Sequence, residues 1–317
     1  MKVWVGIDVS KRHLDAVWVV DGKRVHKKVR NSKKGFAELL AEVPESAHFV
    51  MEATGTYYFN LALFLHQANR FVSVVNPAQI KYHIRSDLKR TKSDKSDATS
   101  IAKFGDEKNP PPWKPHEREV YELRQLVTLD AKLQKMKVQL DNMVEAFVET
   151  DFHSKEAINR ANMMAKVLEE QRAKTKKDME KLASKLFPEI VEILESIPGV
   201  GTASAISVLA GVGDFRRFET SKQLVSYSGL SPTIKQSGTS IHSKGHISRM
   251  GGAQIRGTLY MCAMNGLRCN EQCKTMWNRL KSNGKHGKVA MVAIMSKLLR
   301  IMWTLVTKNE KYRPEMA

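Results

Sequence analysis

The chain has 317 residues, 42% of them hydrophobic and 27% charged, which supports real cores and excludes wholesale disorder. Lys and Arg number 52 against 33 Asp and Glu, a formal net charge of +19. Such a balance favours a polyanionic partner, although a merely soluble basic protein has the same sign. The charge is uneven: 20 basic and 12 acidic residues in 1–115, 14 and 13 in 116–188, 18 and 8 in 189–317. The two ends suit a polyanion and the middle suits protein.

In chain order, VWVGIDV (3–9), HLDAVWVV (13–20) and RVHKKVR (24–30) read as three strands, with the turn signal DGK between the second and third. A helix over KKGFAELLAEV follows, then a strand HFVMEA (48–53), a helix over YYFNLALFLHQAN and a strand FVSVVN. Pro77 opens a further helix. This order predicts an α/β domain over 1–110, closed by the proline-rich break NPPPWKP (109–115).

Long helices come next, over 111–188. Leu126, Leu129, Leu133, Met136, Leu140, Met143 and Phe147 recur in steps of three and four, a sustained coiled-coil seam. A second charged helix, about 155–186, folds back as an internal hairpin or joins a dimerisation arm, and the length and near neutrality lean towards dimerisation. A last, mainly helical domain over 189–317 opens with ESIPGVGTASAISVLAGVG. Its PGVG turn is either a helix-hairpin-helix glycine turn approaching a phosphate or a plain turn. Cys262, Cys269 and Cys273, spaced seven and four, are expected on one helix face as small thiols rather than a metal site. Their odd number and the lack of a signal peptide point to a reducing cytoplasm. The apolar run VAMVAIM (289–295) reads as too short to span a bilayer.

Two constellations carry chemistry. Asp8 ends the first strand, Glu52 ends the fourth, and Asp94 and Asp97 sit three apart near a helix start, in KRTKSDKSDATS. Singly, each reads as a strand-end cap or a helix-terminus acid. Jointly they converge if strands one and four are neighbours, and two Mg²⁺ ions about 3.5–4 Å apart neutralise such a set and serve phosphodiester chemistry. Lys89, Arg90, Lys92 and Lys95 around them then belong to nucleic acid. The second constellation is SGLSPTIKQSGTSIHSKGHISRMGGAQIRGTLY (228–260), where Ser237 lies near Lys235, Lys244, Arg249 and Arg256. Cations and amides hold a phosphate there, but with no evident base the composition alone favours a phosphate-contacting loop.

GIDVSK, MEATGTY and TKSDKSDA, in this order, together with PGVG…GDFRRFETSKQLVSYSGLSP…QSG…SRMGGAQIRGTLY, resemble the DEDD-type insertion-sequence transposases related to the pilin-gene invertase, also called bridge-RNA-guided recombinases. The resemblance covers nearly the whole chain. It implies a RuvC-like, ribonuclease-H-type domain, a coiled-coil arm and a helical transposase domain. It also implies Mg²⁺ at Asp8, Glu52, Asp94 and Asp97, and Ser237 as DNA nucleophile. Ser240 and Ser243 are close enough for that assignment to slip, and which of Asp94 and Asp97 binds metal directly stays open. The implied partners are donor and target DNA, a noncoding guide RNA and further copies of the chain, as a dimer or a tetramer on DNA. A RuvC-type junction nuclease using water is the runner-up. An actin-like ATPase lacks a second phosphate loop here, and a non-catalytic binder would tolerate loss of the four acids.

Overall fold

The structure is a computed structural model and describes residues 2–86, 94–233, 236–237, 241–242, 246–248 and 251–314. It divides into two compact units, one ending at Pro115 and one beginning at His116.

In the first unit the Val- and aromatic-rich runs form β1 Trp4–Val9, β2 His13–Val20, β3 Lys23–Arg30, β4 His48–Glu52 and β5 Phe71–Val75. Among the described residues these make one five-stranded sheet in the order β3-β2-β1-β4-β5. β2 is antiparallel to β1 and β3, while β4 and β5 continue parallel to β1. Asp21 and Gly22, both at positive φ, make the turn between β2 and β3.

Side chains alternate across the sheet. Val5, Ile7, Leu14, Trp18, Phe49 and Met51 bury on one face with α1 Lys33–Glu42 and α2 Phe59–Gln67. Trp4 and Val50 bury on the other, against Ile80 of α3 Pro77–Ser86 and Ile101 and Phe104 of α4 Asp94–Lys108. The proline-rich segment returns along β5. Trp113 N–H donates to the Val72 carbonyl at 2.7 Å, and Ser73 Oγ donates to the carbonyls of Pro110 and Pro111 at 2.9 Å. An edge strand is thereby covered.

The second unit begins with α5 Arg118–Val148 and α6 Lys155–Leu186, an antiparallel hairpin. Cross-helix ion pairs fix its register: Arg172 with Asp130 at 3.1 Å, Lys137 with Glu169 at 3.6 Å, Lys185 with Glu119 at 3.9 Å. Leu126, Leu133 and Leu140 are half-buried, whereas Leu129, Met136 and Met143 are exposed. Then come α7 Pro188–Glu195, α8 Thr202–Val212, α9 Ser221–Tyr227, α10 Ala253–Cys269, α11 Glu271–Ser282 and α12 Gly287–Lys308. Gly199 of the PGVG turn, at φ 96°, lies against α10, where a Cβ would come within 2.8 Å of Gly266 N. This glycine serves helix packing; Gly201 caps α8 with open space around it.

Two expectations need correction. The cysteines do not share one helix, because Asn270 ends α10 and its side chain accepts from Cys273 N–H to start α11. Cys262 and Cys273 are buried and Cys269 is exposed. The apolar run at 289–295 belongs to the 22-residue α12, which is long and apolar enough to cross a membrane. Its buried side, including Ile294, Leu298, Leu299 and Met302, instead forms the core of this unit with Leu209 and Phe215.

Candidate active site

Asp8 and Glu52 stand at the C-terminal ends of neighbouring parallel strands. The register pairs Gly6 with Val50 and Ile7 with Met51, so one further step brings Asp8 level with Glu52. The two-residue period puts both on the face of Gly6 and Val50, the face that α4 covers. Glycine at position 6 explains how closely that helix lies. A Cβ there would stand 2.1 Å from Ala102 N and 2.2 Å from Ala98 O, so helix backbone rests on strand backbone. A Cβ on Gly105 would in turn crowd side chains, Trp4 Cε3 at 2.6 Å and Val50 Cγ1 at 2.8 Å. Seated this way, α4 carries Asp94 and Asp97 in its first turn towards Asp8.

The electrostatics register that approach. Burial first, then the charges of Asp97, Asp94, Glu52 and Asp15, push the Asp8 carboxyl up from an ordinary 3.8 to about 6. Thr54 Oγ1 donates to Glu52 Oε1 and orients it. The four predicted acids are thus brought into one neighbourhood.

Asp15 is the residue that sequence reading missed. It pairs directly with Asp8 across β1 and β2, is buried, accepts from His26 Nε2 at 2.9 Å and meets Lys28 Nζ at 3.4 Å. Its signal was an acid in an otherwise apolar strand run, legible only once the register is known.

All-carboxylate oxygen donors around a carboxyl that resists ionisation suit a hard divalent cation such as Mg²⁺ in kind. Among the described residues, no three His, Cys, Asp or Glu side chains yet surround one point as metal ligands. Lys95 is exposed in the first turn of α4. Lys89, Arg90 and Lys92 lie outside the described residues.

Ser237 belongs to the second unit. Its backbone is in β7 Gln236–Ser237, which pairs with β8 Ile241–His242; outside this, β6 Pro232–Thr233 pairs with β9 His246–Ile247. The ladders are nested, so the chain leaves α9 and returns to α10 with Ser237 on the inner ladder. The neck of this excursion is tight. A Cβ on Gly251 would lie 2.2 Å from the Tyr227 carbonyl oxygen. Arg256 Nη1 donates to the carbonyls of Gly251 at 2.6 Å and Ser228 at 3.4 Å, bracing both sides. Arg256 is therefore engaged with protein at this neck. Lys235, Lys244 and Arg249 lie outside the described residues.

Comparison with known proteins gives this arrangement its context. Residues 5–153 match a transposase family of DEDD type typified by the IS110 element, and residues 191–278 match the transposase IS116/IS110/IS902 family. The chain is 29% identical to the pilin gene-inverting protein of Moraxella bovis over 98% of both chains. It is 34% identical to the transposase for insertion sequence element IS1111A of Coxiella burnetii, over 38% of this chain and 34% of that one. Both matched families are transposases, enzymes that act on DNA. The chain belongs to the DEDD-type insertion-sequence transposases of the IS110 group.

Proposed function

We propose that this transposase exchanges DNA strands through a phosphoserine link at Ser237, assisted by divalent metal at Asp8, Glu52, Asp94 and Asp97. The observation that carries the reading is the approach of Asp94 and Asp97 of α4 to Asp8 and Glu52 at the strand ends, with Asp8 raised to about 6. A sheet order of 3-2-1-4-5 in which β2 alone is reversed supports a ribonuclease-H-type, RuvC-like assignment for the unit. Mg²⁺, when bound, would supply charge neutralisation and activation of the attacking and leaving oxygens.

The chain's own residues divide the work. Asp8 and Glu52 hold fixed positions at strand ends, Thr54 orients Glu52, and α4 presents Asp94 and Asp97 from a seat set by Gly6. In the other unit, Ser237 Oγ forms a bond to phosphorus as a bridging P–O bond of the strand breaks. The serine proton passes to base, and the departing strand end becomes a free hydroxyl. A second strand's hydroxyl then attacks the phosphoserine and releases Ser237. One phosphodiester replaces another, so no ATP is needed.

The near full-length likeness to a protein named for inverting a gene supports recombination over hydrolysis. Family likeness also supports guidance by a noncoding RNA, with the hairpin as a coiled-coil arm in a dimer or a DNA-bound tetramer. Denaturing gels of protein, Mg²⁺, flanking noncoding DNA and target plasmid test the proposal. A protein–DNA adduct in wild type, lost in both Ser237→Ala and Asp8→Ala, is expected. Nicked DNA without adduct, with Ser237→Ala still cutting, would make the protein a hydrolytic junction nuclease instead.

A further inference from the structure

The edge strand β3 carries a row of basic residues, of which Arg24 and Arg30 serve neither an ion pair nor the carboxylate site among the described residues. Arg24, His26, Lys28 and Arg30 alternate along it, so all four share one face, and all four are exposed. The opposite face of the strand presents Val25 and Val29 to the core, and Lys27 pairs there with Glu42 of α1. The row faces the side on which α4 lies, and among the described residues α4 packs over β1, β2 and β4 rather than over β3.

Register ties the row to the acids. Lys28 pairs with Asp15, Asp15 pairs with Asp8, and Asp8 comes level with Glu52. These four residues form one line across four strands, with the row about two strand spacings, or ~10 Å, from Asp8. Lys28 and His26 are partnered by Asp15, but Arg24 and Arg30 have no ion pair among the described residues. At its far end the row meets a groove of about 720 Å³ between β2 and α4, lined by Arg24, Lys2 and Lys103 and also by Asp21 and Asp106. Same-face residues recur every ~6.8 Å along a strand, close to the spacing of phosphates on an extended nucleic-acid strand.

We infer that Arg24, His26, Lys28 and Arg30 form a phosphate track for a single strand of DNA led along β3 to the carboxylate line. The assignment rests on the reading above that these carboxylates act on DNA. The strand held beside them is then the one that reacts, which selects DNA over RNA as occupant.

The test measures binding of a fluorescent single-stranded DNA, and of RNA of the same sequence, by the full chain in EDTA across a salt series. The track variant is Arg24→Gln with Arg30→Gln, which keeps the Asp15 pairs. The control is Lys33→Gln with Lys34→Gln on α1, an equal charge loss elsewhere. Removing two phosphate contacts should lower the DNA salt slope by about 1.4 and the affinity roughly tenfold, with the control changing it less than twofold. Arg24→Lys with Arg30→Lys should bind DNA as wild type does, which separates lost charge from lost fold.

Equal losses in track and control variants would overturn the track. So would a loss confined to RNA, or wild type failing to bind single-stranded DNA; the row would then serve RNA or guard the edge against strand pairing. Failure of the underlying reading shows differently, as Asp8→Asn forming adduct normally while DNA binding responds to the track variant.

Discussion

Asp8 shows how a site can be unfavourable to the fold that holds it. A raised folded pKa means the native state keeps this proton to higher pH than the unfolded chain does. Its contribution is therefore most favourable below the ordinary value of 3.8, declines as pH rises towards about 6, and stays low above that. At pH 7.5 without divalent metal, Asp8→Asn should stabilise the protein by about 1–2 kcal/mol, after allowance for solvent contact. It should also abolish adduct formation. Thermal melts at pH 4.5 and 7.5 check the sign, since the gain should shrink at the lower pH. Mg²⁺ should raise the melting temperature of wild type and do little for Asp8→Asn. A variant no more stable than wild type at pH 7.5 would mean that burial and the neighbouring acids disfavour the Asp8 charge far less than their placement implies. Asp8, Glu52, Asp94 and Asp97 were legible in the sequence because each sits at an element end. Asp15 was not, because an acid inside a strand gains meaning only from the residue paired across from it.

The elements were legible for a different reason. Val-rich runs and the DGK turn signal marked the strands, and β1, β2, β3 and β4 fall within one residue of the runs read for them. What the pattern does not carry is the closeness of one element to another. Gly6 reads as a small residue in a strand, yet its missing Cβ is what lets α4 rest on β1. Gly6→Ala should cost about 3 kcal/mol, the upper end for overpacking, because the obstruction is backbone and cannot swing aside. Urea denaturation of full-length protein measures it, and a loss under 0.5 kcal/mol would refute the argument. A survivor of this substitution should also form less adduct, since displaced α4 carries Asp94 and Asp97 with it. The break at Asn270 was hidden similarly: a helical spacing of cysteines continues smoothly through a residue whose side chain starts a new helix. The apolar run in α12 looked short because Lys297 and Arg300 interrupt it, although the helix continues on both sides.

Across the whole molecule, charge and packing divide the chain in related ways. The nearly neutral stretch is the α5–α6 hairpin, where basic and acidic residues are almost equal in number and three ion pairs cross between the helices. The basic stretches carry the sheet on one side and the Ser237 excursion on the other. Residues up to Pro115 bury apolar side chains on both faces of their own sheet, which gives that unit cores independent of the hairpin. A fragment of 1–115 should therefore unfold cooperatively and give a dispersed amide NMR spectrum. Composition reads the prolines as a break, but Ser73 and Val72 bind the segment back to the sheet, and Trp113 packs edge-on against Phe59 and His66. Ending the fragment at residue 108 removes these hydrogen bonds, each worth about 1 kcal/mol, and bares the β5 edge. The shorter fragment should melt roughly 8 °C or more below the longer one, given about 4 °C or more per kcal/mol for a domain this size. Equal melting temperatures would show the segment to be a linker after all, and a molten 1–115 would show that the sheet depends on the second unit.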